Sequence, residues 1–163
     1  MADGWRRPAL AVAAAVVLHG LLAGCRAEPD LTLQPDSVLQ ATLGLQPHDR
    51  VYRVSVTGGE VERADPAALS IEAGSYVEFF STDWLVHEIL FDTASLTPAQ
   101  RDFLRNTDQV HSPPLIDRGS RYVLSFVDAP PGRYGFRLEG NGRASSGAIV
   151  VAGPEEKQRV GSR

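Results

Sequence analysis

The stretch that decides the fold is residues 84–92, WLVHEILFD, in which apolar side chains alternate with others around one histidine, His87. Successive side chains of a strand point to opposite faces, so Leu85 and Ile89 share a side with His87. A period of two over this length is typical of a β-strand. We therefore expect a strand over residues 84–91 that carries His87 on its inward face.

Further short segments with the same alternation lie on both sides of this stretch. Turn signals separate them, among them the glycine pair at 58–59 and the Pro-Pro-Gly at 130–132. Short strands rich in Val, Tyr and Phe at such spacing indicate an all-β sandwich or barrel. The other predicted strands cover residues 52–56, 69–72, 75–80, 122–127, 133–138 and 148–151.

Two short helices are expected beside these strands. Thr97, Pro98 and Gln100 form the pattern of a capping box with proline at the first helical position, which starts a helix. That helix lies in a connection too long for a hairpin. Residues 37–43, SVLQATL, predict a second short helix that ends at Gly44.

The N-terminus has the pattern of an export signal. Arg6 and Arg7 precede an apolar run over residues 9–23. As a helix this run would be only about 22 Å long, whereas the bilayer core is about 30 Å thick. The run is followed by residues 21–25, LLAGC, which resemble the bacterial lipobox. That resemblance implies cleavage before Cys25 and a diacylglycerol on its sulfur.

These patterns divide the chain into four parts: a lipoprotein signal peptide (1–24), the lipidated Cys25 with a tether (25–49), a β-domain (50–153) and a polar tail (154–163). The tether begins with the polar residues 26–36. The expected location is extracytoplasmic, anchored to the bacterial cell envelope by lipid. Arg26 follows the cysteine where lipoproteins retained in the inner membrane usually carry aspartate. The outer membrane, on its periplasmic side, is therefore expected where there are two membranes.

Composition excludes several classes of function. The 163 residues contain one cysteine and one methionine, and the methionine is Met1. Internal disulfides, a cysteine-rich zinc site and a thiolate nucleophile in the domain are therefore excluded. The formal net charge is −4 and the arginines are scattered among acids, so no nucleic acid partner is expected.

An ordered set of motifs resembles the cupredoxin family, the plastocyanin-like blue copper proteins. A Val-Glu-Phe strand (77–79) precedes the histidine stretch at 84–92, and the strand at 122–126 follows Gly119. Residues 129–136, APPGRYGF, resemble the family's approach to its ligand loop. The resemblance implies a Greek-key β-sandwich with one short crossover helix.

The resemblance also implies where copper ligands would stand. His87 matches the first histidine, but the position of the cysteine is Leu138 and that of the second histidine is Asn141. Ser145 and Ser146 stand where the methionine is expected. Type 1 copper needs two histidines and a thiolate, so the residues predict that this site is degenerate and that no cofactor is held there.

His87 admits two interpretations. It is either a hydrogen-bonded histidine of the core or rim, or a residual metal ligand. In the second case copper would be held in a non-standard site completed by His111, His48 or carboxylates. Neither histidine is spaced as a local chelate with His87, and His111 is expected to be an exposed loop residue.

No enzymatic motif is found. The pair His87-Glu88 lacks the second histidine of a zinc protease, since Phe91 stands in that position. The acids Glu60 and Glu62 are expected in a solvated turn. Trp84 falls on the opposite side of its strand from His87, which hints at a partner surface.

The sequence thus favours a lipid-anchored binding or structural module of the envelope, not an enzyme, with no type 1 copper. Its partners would be the membrane, through Cys25, and an unknown envelope protein or small ligand. The alternative is a copper-binding electron-transfer or copper-handling protein that uses His87.

Overall fold

A computed structural model describes residues 30–153. They form eight strands and two short α-helices, preceded by a 3₁₀ turn at Leu31–Leu33. The elements are α1 (Ser37–Leu43), β1 (Val51–Thr57), β2 (Arg63–Asp65), β3 (Ala68–Ile71), β4 (Tyr76–Ser81), β5 (His87–Phe91), α2 (Pro98–Asn106), β6 (Arg121–Ser125), β7 (Gly132–Gly140) and β8 (Ser145–Val151).

The strands form two four-stranded sheets. The first sheet has the order β2-β1-β4-β6 and the second has the order β3-β8-β7-β5. Each sheet contains one parallel pair, β1 with β4 and β3 with β8, and its other pairs are antiparallel. The expected all-β sandwich with a single crossover helix, α2, is confirmed.

The core lies between the sheets, where alternate side chains of both point inward. Phe79 of the first sheet meets Phe136 of the second edge to face, with ring centroids 5.1 Å apart. Edge-to-face packing suits the negative face and positive rim of aromatic rings. The largest fully buried apolar residues are Tyr134, Phe79, Phe126, Ile89, Leu104, Leu124, Leu138, Ile149 and Val54.

The capping box at the start of α2 is present as expected. The backbone N–H of Gln100 donates to the Thr97 hydroxyl, and the Gln100 side chain accepts from the backbone N–H of Thr97. Leu104 is fully buried. The helix lies in the crossover that takes the chain from β5 in the second sheet to β6 in the first.

The outer face of the first sheet is covered by α1. The Asp36 carboxylate accepts the first N–H groups of this helix, and Gly44 ends it at φ 68°. Leu39 and Leu45 are buried against Val51 at the start of β1. The part of the expected tether from residue 30 onward is therefore folded onto the domain, because these leucines bury apolar surface there.

The observed strands differ from the predicted ones at several bounds, most of all at the starts of β5 and β8, and they include one strand that was not expected. The predicted strand at 84–91 begins only at His87, because the N–H of Leu85 donates to the Asp83 side chain and that of Val86 to the Asn141 side chain. The three-residue strand β2 was not predicted, since its Arg-Ala-Asp sequence has no apolar alternation.

Within residues 30–153, neither helix is long and apolar enough to span a membrane.

Candidate functional site

His87 is the first residue of β5 and is fully buried. It shares the inward side of that strand with Ile89 and Phe91, which are also buried. Its backbone N–H donates to the Leu115 carbonyl, and its carbonyl accepts from the Leu115 N–H. These bonds, together with the pairing of His87 with Gly140 of β7, fix the backbone from which the imidazole projects.

The imidazole of His87 lies between two carboxylates. Its Nδ1 is 2.7 Å from Oε2 of Glu62, and its Nε2 is 2.9 Å from Oδ1 of Asp83. Glu62 is fully buried, whereas the Asp83 side chain is 24% exposed. A histidine donates from both ring nitrogens only when both carry a proton. The ring can therefore donate to both carboxylates only as an imidazolium.

Backbone N–H groups also donate hydrogen bonds to both carboxylates. Glu62 accepts from Gly142 at 2.8 Å, and Asp83 accepts from Gly58 at 2.7 Å and from Leu85 at 2.8 Å. The loops β1–β2, β4–β5 and β7–β8 thus all meet at His87. We call this end of the sandwich the His87 end.

At Gly140 and Gly142 of the His87 end the surroundings leave no room for a side chain. A Cβ on Gly140 would collide with the Val86 carbonyl oxygen and lie 2.7 Å from Oε1 of Glu62, and a Cβ on Gly142 would lie 2.5 Å from the Gly59 carbonyl oxygen. Real Cβ atoms do not approach so closely, so these glycines allow the backbone to pass close to the buried acid and its neighbours.

The pKa of Asp83 is lowered from its ordinary value of 3.8. The largest single influence, burial, opposes ionisation and raises the pKa. The backbone hydrogen bonds from Gly58 and Leu85, followed by the hydrogen bond and charge of His87, together outweigh it. Asp83 is therefore held as a carboxylate by donors from three directions.

The residues at the other expected ligand positions have structural roles. Leu138 is fully buried on β7. Oδ1 of Asn141 accepts from the N–H of Val86 at 3.0 Å, which ties the β7–β8 loop to the approach of β5. Ser145 and Ser146 begin β8, where they pair with Leu138 and Arg137. The lipidation position, Cys25, lies outside the described residues.

The two other histidines within residues 30–153 are not brought to His87. His111 is exposed, and its backbone forms an isolated bridge with Leu90 further along β5. The His48 side chain is 82% exposed and lies 3.9 Å from the carboxylate of Asp49, just before β1. Gly58, which donates its N–H to Asp83 at the site, follows the opposite end of that strand.

Type 1 copper does not fit these residues. Imidazole binds a metal through a nitrogen lone pair, and both ring nitrogens of His87 face carboxylate oxygens at hydrogen-bond distance. Residues 30–153 contain no cysteine to supply a thiolate. Within that range, no group of three or more His, Cys, Asp and Glu side chains is arranged to hold a metal ion.

The prediction that Glu62 lies in a solvated turn is wrong, since its side chain is fully buried against His87. Its local sequence, Val-Glu-Arg, gives no sign of this burial, because the partner is 25 residues away. Asp83 was not singled out either; its separation of four residues from His87 is the only local signal. Trp84, by contrast, is 71% exposed, so one of the pair Trp84 and His87 faces solvent as expected.

No protein-family model matches the chain. Among solved structures it is similar to a purple cupredoxin from Nitrosopumilus maritimus, at 19% identity over 62% of this chain and 99% of that chain, with a TM-score of 0.42. It is also similar to an oxidised amicyanin variant, at 15% identity over 63% of this chain and 82% of that one, with a TM-score of 0.43. The chain's own architecture, two four-stranded sheets with one parallel pair in each, agrees with the sandwich that the sequence resemblance implies.

A copper-containing nitrite reductase from Thermus scotoductus is also similar, at 22% identity and a TM-score of 0.45. The match covers 68% of this chain but only 24% of that one. The likeness of this chain to all three structures concerns the cupredoxin-like sandwich alone. Copper and nitrite reduction belong to the Thermus scotoductus protein.

Removing the imidazole should destabilise the domain strongly. In His87→Ala the buried Glu62 loses its partner, and an uncompensated buried charge costs about 3–5 kcal/mol. We expect a fall of that size in the free energy of unfolding, measured by urea denaturation. The control His111→Ala truncates an exposed histidine and should change it by less than about 0.5 kcal/mol. Equal effects of the two variants would contradict this account of the site.

The Asp83 carboxylate should make stability depend on pH in the acid range. Its pKa is lower in the folded state than in the unfolded chain, where it is about 3.9. Its contribution is therefore complete above that value and is lost as the pH falls through the folded-state pKa. Asp83→Asn should show a smaller loss of stability between about pH 4 and about pH 2.

The matched control for Asp83→Asn is Asp117→Asn, which changes an exposed loop acid with no side-chain hydrogen bond among those described. Urea midpoints measured across the pH series should follow the wild type in this control. If Asp83→Asn also follows the wild type down to the lowest pH, the carboxylate does not contribute as described.

Proposed function

We propose that this chain is a lipid-anchored, extracytoplasmic cupredoxin-like domain that holds no type 1 copper and acts as a binding or structural module of the cell envelope. The observation that carries the proposal is the state of the first ligand position. Both nitrogens of His87 contact carboxylate oxygens, so a pair of hydrogen bonds stands where the resemblance implies a metal bond.

The geometry supports a structural use of the histidine. Glu62 and Asp83 belong to different loops, and each also accepts backbone N–H groups from further segments. The imidazole therefore adds a link between the β1–β2 and β4–β5 loops, beside the hydrogen bond that Gly58 donates to Asp83. The domain keeps an ordered His87 end without a metal ion.

Exposed apolar side chains at the same end support a binding role. Trp84 is 71% exposed, Ile116 58% and Val86 39%. The antiparallel bridge of His87 with Leu115 places Val86 beside Ile116. Exposed apolar patches of this kind mark interaction sites in soluble domains.

The lipid anchor is proposed from the amino-acid sequence. The apolar run at 9–23 and the LLAGC motif ending at Cys25 favour export and acylation, and no other cysteine competes for the role. Arg26 favours the outer membrane, on its periplasmic side, in a cell with two membranes.

A copper-handling role is the alternative function, and one observation favours it. His87 has two carboxylates beside it, and carboxylates with imidazole are metal ligands in many proteins. The ring lies between them, however, so a metal ion would have to displace at least one carboxylate from His87.

Copper titration separates the two roles. We expect the wild-type chain and His87→Ala to bind Cu²⁺ equally weakly, with no rise in the urea midpoint of the wild type at equimolar copper. A ligand that binds only the folded state raises stability in proportion to the logarithm of its concentration over Kd. Tight one-to-one binding that is lost in His87→Ala and kept in His111→Ala would establish the copper role instead.

The anchor has its own test. Cys25→Ser should yield a chain without acyl groups, by intact mass, that is released from membranes. Ala27→Ser introduces serine two residues further on and should stay membrane-bound with its acyl mass. Retention of Cys25→Ser in the membrane fraction would show that the lipobox interpretation is wrong.

A further inference from the structure

We propose that two copies of this chain pair through the free edge of β6, so that their first sheets, of four strands each, join into one continuous sheet. The two β6 strands run antiparallel, with a two-fold axis at Tyr122. We call the stretch of edge from Arg121 to Val123 the β6 window. This self-association goes beyond the proposed function and does not depend on the lipid anchor.

The register of β6 shows which of its residues bond to β4, its only neighbour in the sheet. The N–H of Phe126 donates to the Ser75 carbonyl, and the N–H of Ser81 donates to the Ser120 carbonyl. Hydrogen-bonded positions alternate along an antiparallel pair. The even-numbered residues from 120 to 126 therefore face β4, and the odd-numbered ones face the free edge.

The outward groups of β6 are covered at one end only. The N–H of Ser125 donates to Oε1 of Gln109 at 2.6 Å, and its carbonyl accepts from Nε2 of the same side chain at 3.1 Å. Within residues 30–153, the backbone N–H and C=O groups of Arg121 and Val123 have no hydrogen-bond partner. These four groups make up the β6 window.

Two other sheet edges are protected against strand pairing. The edge of β5 is covered by the segment that follows α2, since Val110 accepts from the N–H of Phe91 and Ser112 donates to Ile89. The edge strand β2 has only three residues, and two of them are exposed and charged. Coverage, shortness and charge are the usual ways in which proteins block edge pairing. The β6 window has no such protection.

The edge of β3 is also free and serves as a comparison. The N–H groups of Ala148 and Ala152 donate to the carbonyls of Ala67 and Ile71, so the odd-numbered residues of β3 face β8. The N–H of Ser70 consequently faces away from its sheet. No large apolar side chain of β3 is exposed, so this edge lacks the apolar surroundings of the β6 window.

An apolar hollow lies beside the β6 window. It has a volume of about 410 Å³, and Val38 and Leu43 of α1 line it together with residues 121–123. Val38 is 52% exposed and Leu43 51%. A second strand paired at the window extends the sheet next to this hollow. It therefore removes apolar surface from water in addition to satisfying the backbone groups.

The surroundings of the window carry no net charge. Residues 37–47 contain no Asp, Glu, Lys or Arg, and Arg121 is the only charged residue in 120–126. Its guanidinium lies 2.6 Å from the carboxylate of Asp36. In a two-fold contact a patch meets its own copy, so any net charge on the patch would repel itself. A neutral patch on a chain of net charge −4 therefore favours a second copy.

The two-fold axis matches the free groups of the two copies. An axis at Tyr122 places Arg121 of each copy opposite Val123 of the other. Opposed residues at a hydrogen-bonded position of an antiparallel pair exchange both of their N–H···O bonds. Each of the four free groups in one window thus meets a partner in the other window. Ser125 takes no part, because Gln109 already covers it.

Analytical ultracentrifugation of the Cys25→Ser chain tests the pairing, because that chain has neither acyl groups nor a thiol that could join two copies. We expect a monomer–dimer equilibrium at micromolar to millimolar concentration, as suits a small interface. Leu43→Lys should weaken dimerisation about tenfold or more, because it sets like charges beside the axis. If the chain remains membrane-bound, the measurement is made in density-matched detergent.

The matched control is Leu31→Lys, which changes another exposed leucine. Its 3₁₀ turn contacts β1, and β4 separates β1 from β6. This variant should dimerise like the parent chain. A chain that stays monomeric throughout overturns the proposal, and so does a dimer that both leucine variants affect equally.

Proline substitution tests the backbone groups themselves. Val123→Pro removes an outward N–H and leaves the bonds to β4, and proline is tolerated where a strand N–H faces solvent. Dimerisation should weaken about tenfold or more, since each copy loses a donor. Ser70→Pro makes the same change on the β3 edge and should leave the dimer intact. Equal effects of the two prolines contradict the β6 window.

Amide hydrogen exchange gives a readout without any change to the edge, and it holds even if Val123→Pro does not fold. In the Cys25→Ser chain, followed by NMR, protection of the amides of Arg121 and Val123 should rise with protein concentration. The amide of Ser70 should exchange at the same rate throughout. Exchange at 121 and 123 that does not change with concentration overturns the proposal.

Discussion

The arrangement of the His87 end depends on one imidazole ring held between two carboxylates. Glu62 is fully buried, and a buried carboxylate is tolerated only when a charge or several donors compensate for its lost hydration. His87 supplies one donor and Gly142 another. Because Glu62 and Asp83 come from different loops, the ring fixes the distance between those loops as well as the charge balance.

This interaction explains why the end of the sandwich stays ordered where the resemblance implies a metal centre. A type 1 site draws its ligands together through a copper ion. Here hydrogen bonds from the His87 ring and from backbone N–H groups link the loops. Leu138 extends the apolar core to the position where the resemblance implies a thiolate. Hydrogen bonds therefore join the loops at the position where the resemblance implies copper ligands.

The sequence was most informative where a property depends on neighbouring residues. Alternation placed His87 inward, and the Thr97 to Gln100 spacing predicted the start of α2, because each signal lies within a few residues. The burial of Glu62 was missed because its partner is 25 residues distant and only the pairing of the loops brings them together. The start of β5 was misplaced for the same reason: Asn141, from another loop, takes the N–H of Val86.

The other buried acid of the domain shows how position in a sheet selects the partner. Glu78 lies in the centre of the first sheet's outer face, between strands that carry Arg53 and Arg121. Both guanidinium groups lie near the Phe80 ring, at 4.8 and 5.5 Å from its centroid, which limits their freedom. Nη1 of Arg121 is 3.1 Å from Oε1 of Glu78, close enough for an ion pair.

That contact is nevertheless not aligned as a hydrogen bond, and among the described residues this oxygen has no other donor. Glu62, at a loop junction, is instead compensated by a histidine and a backbone N–H with good geometry. Long arginine side chains can reach across neighbouring strands, whereas a short imidazole needs its partners brought to it by loops. The His87 site is therefore the more sensitive of the two to small changes in loop conformation, and its glycines at 140 and 142 follow from that requirement.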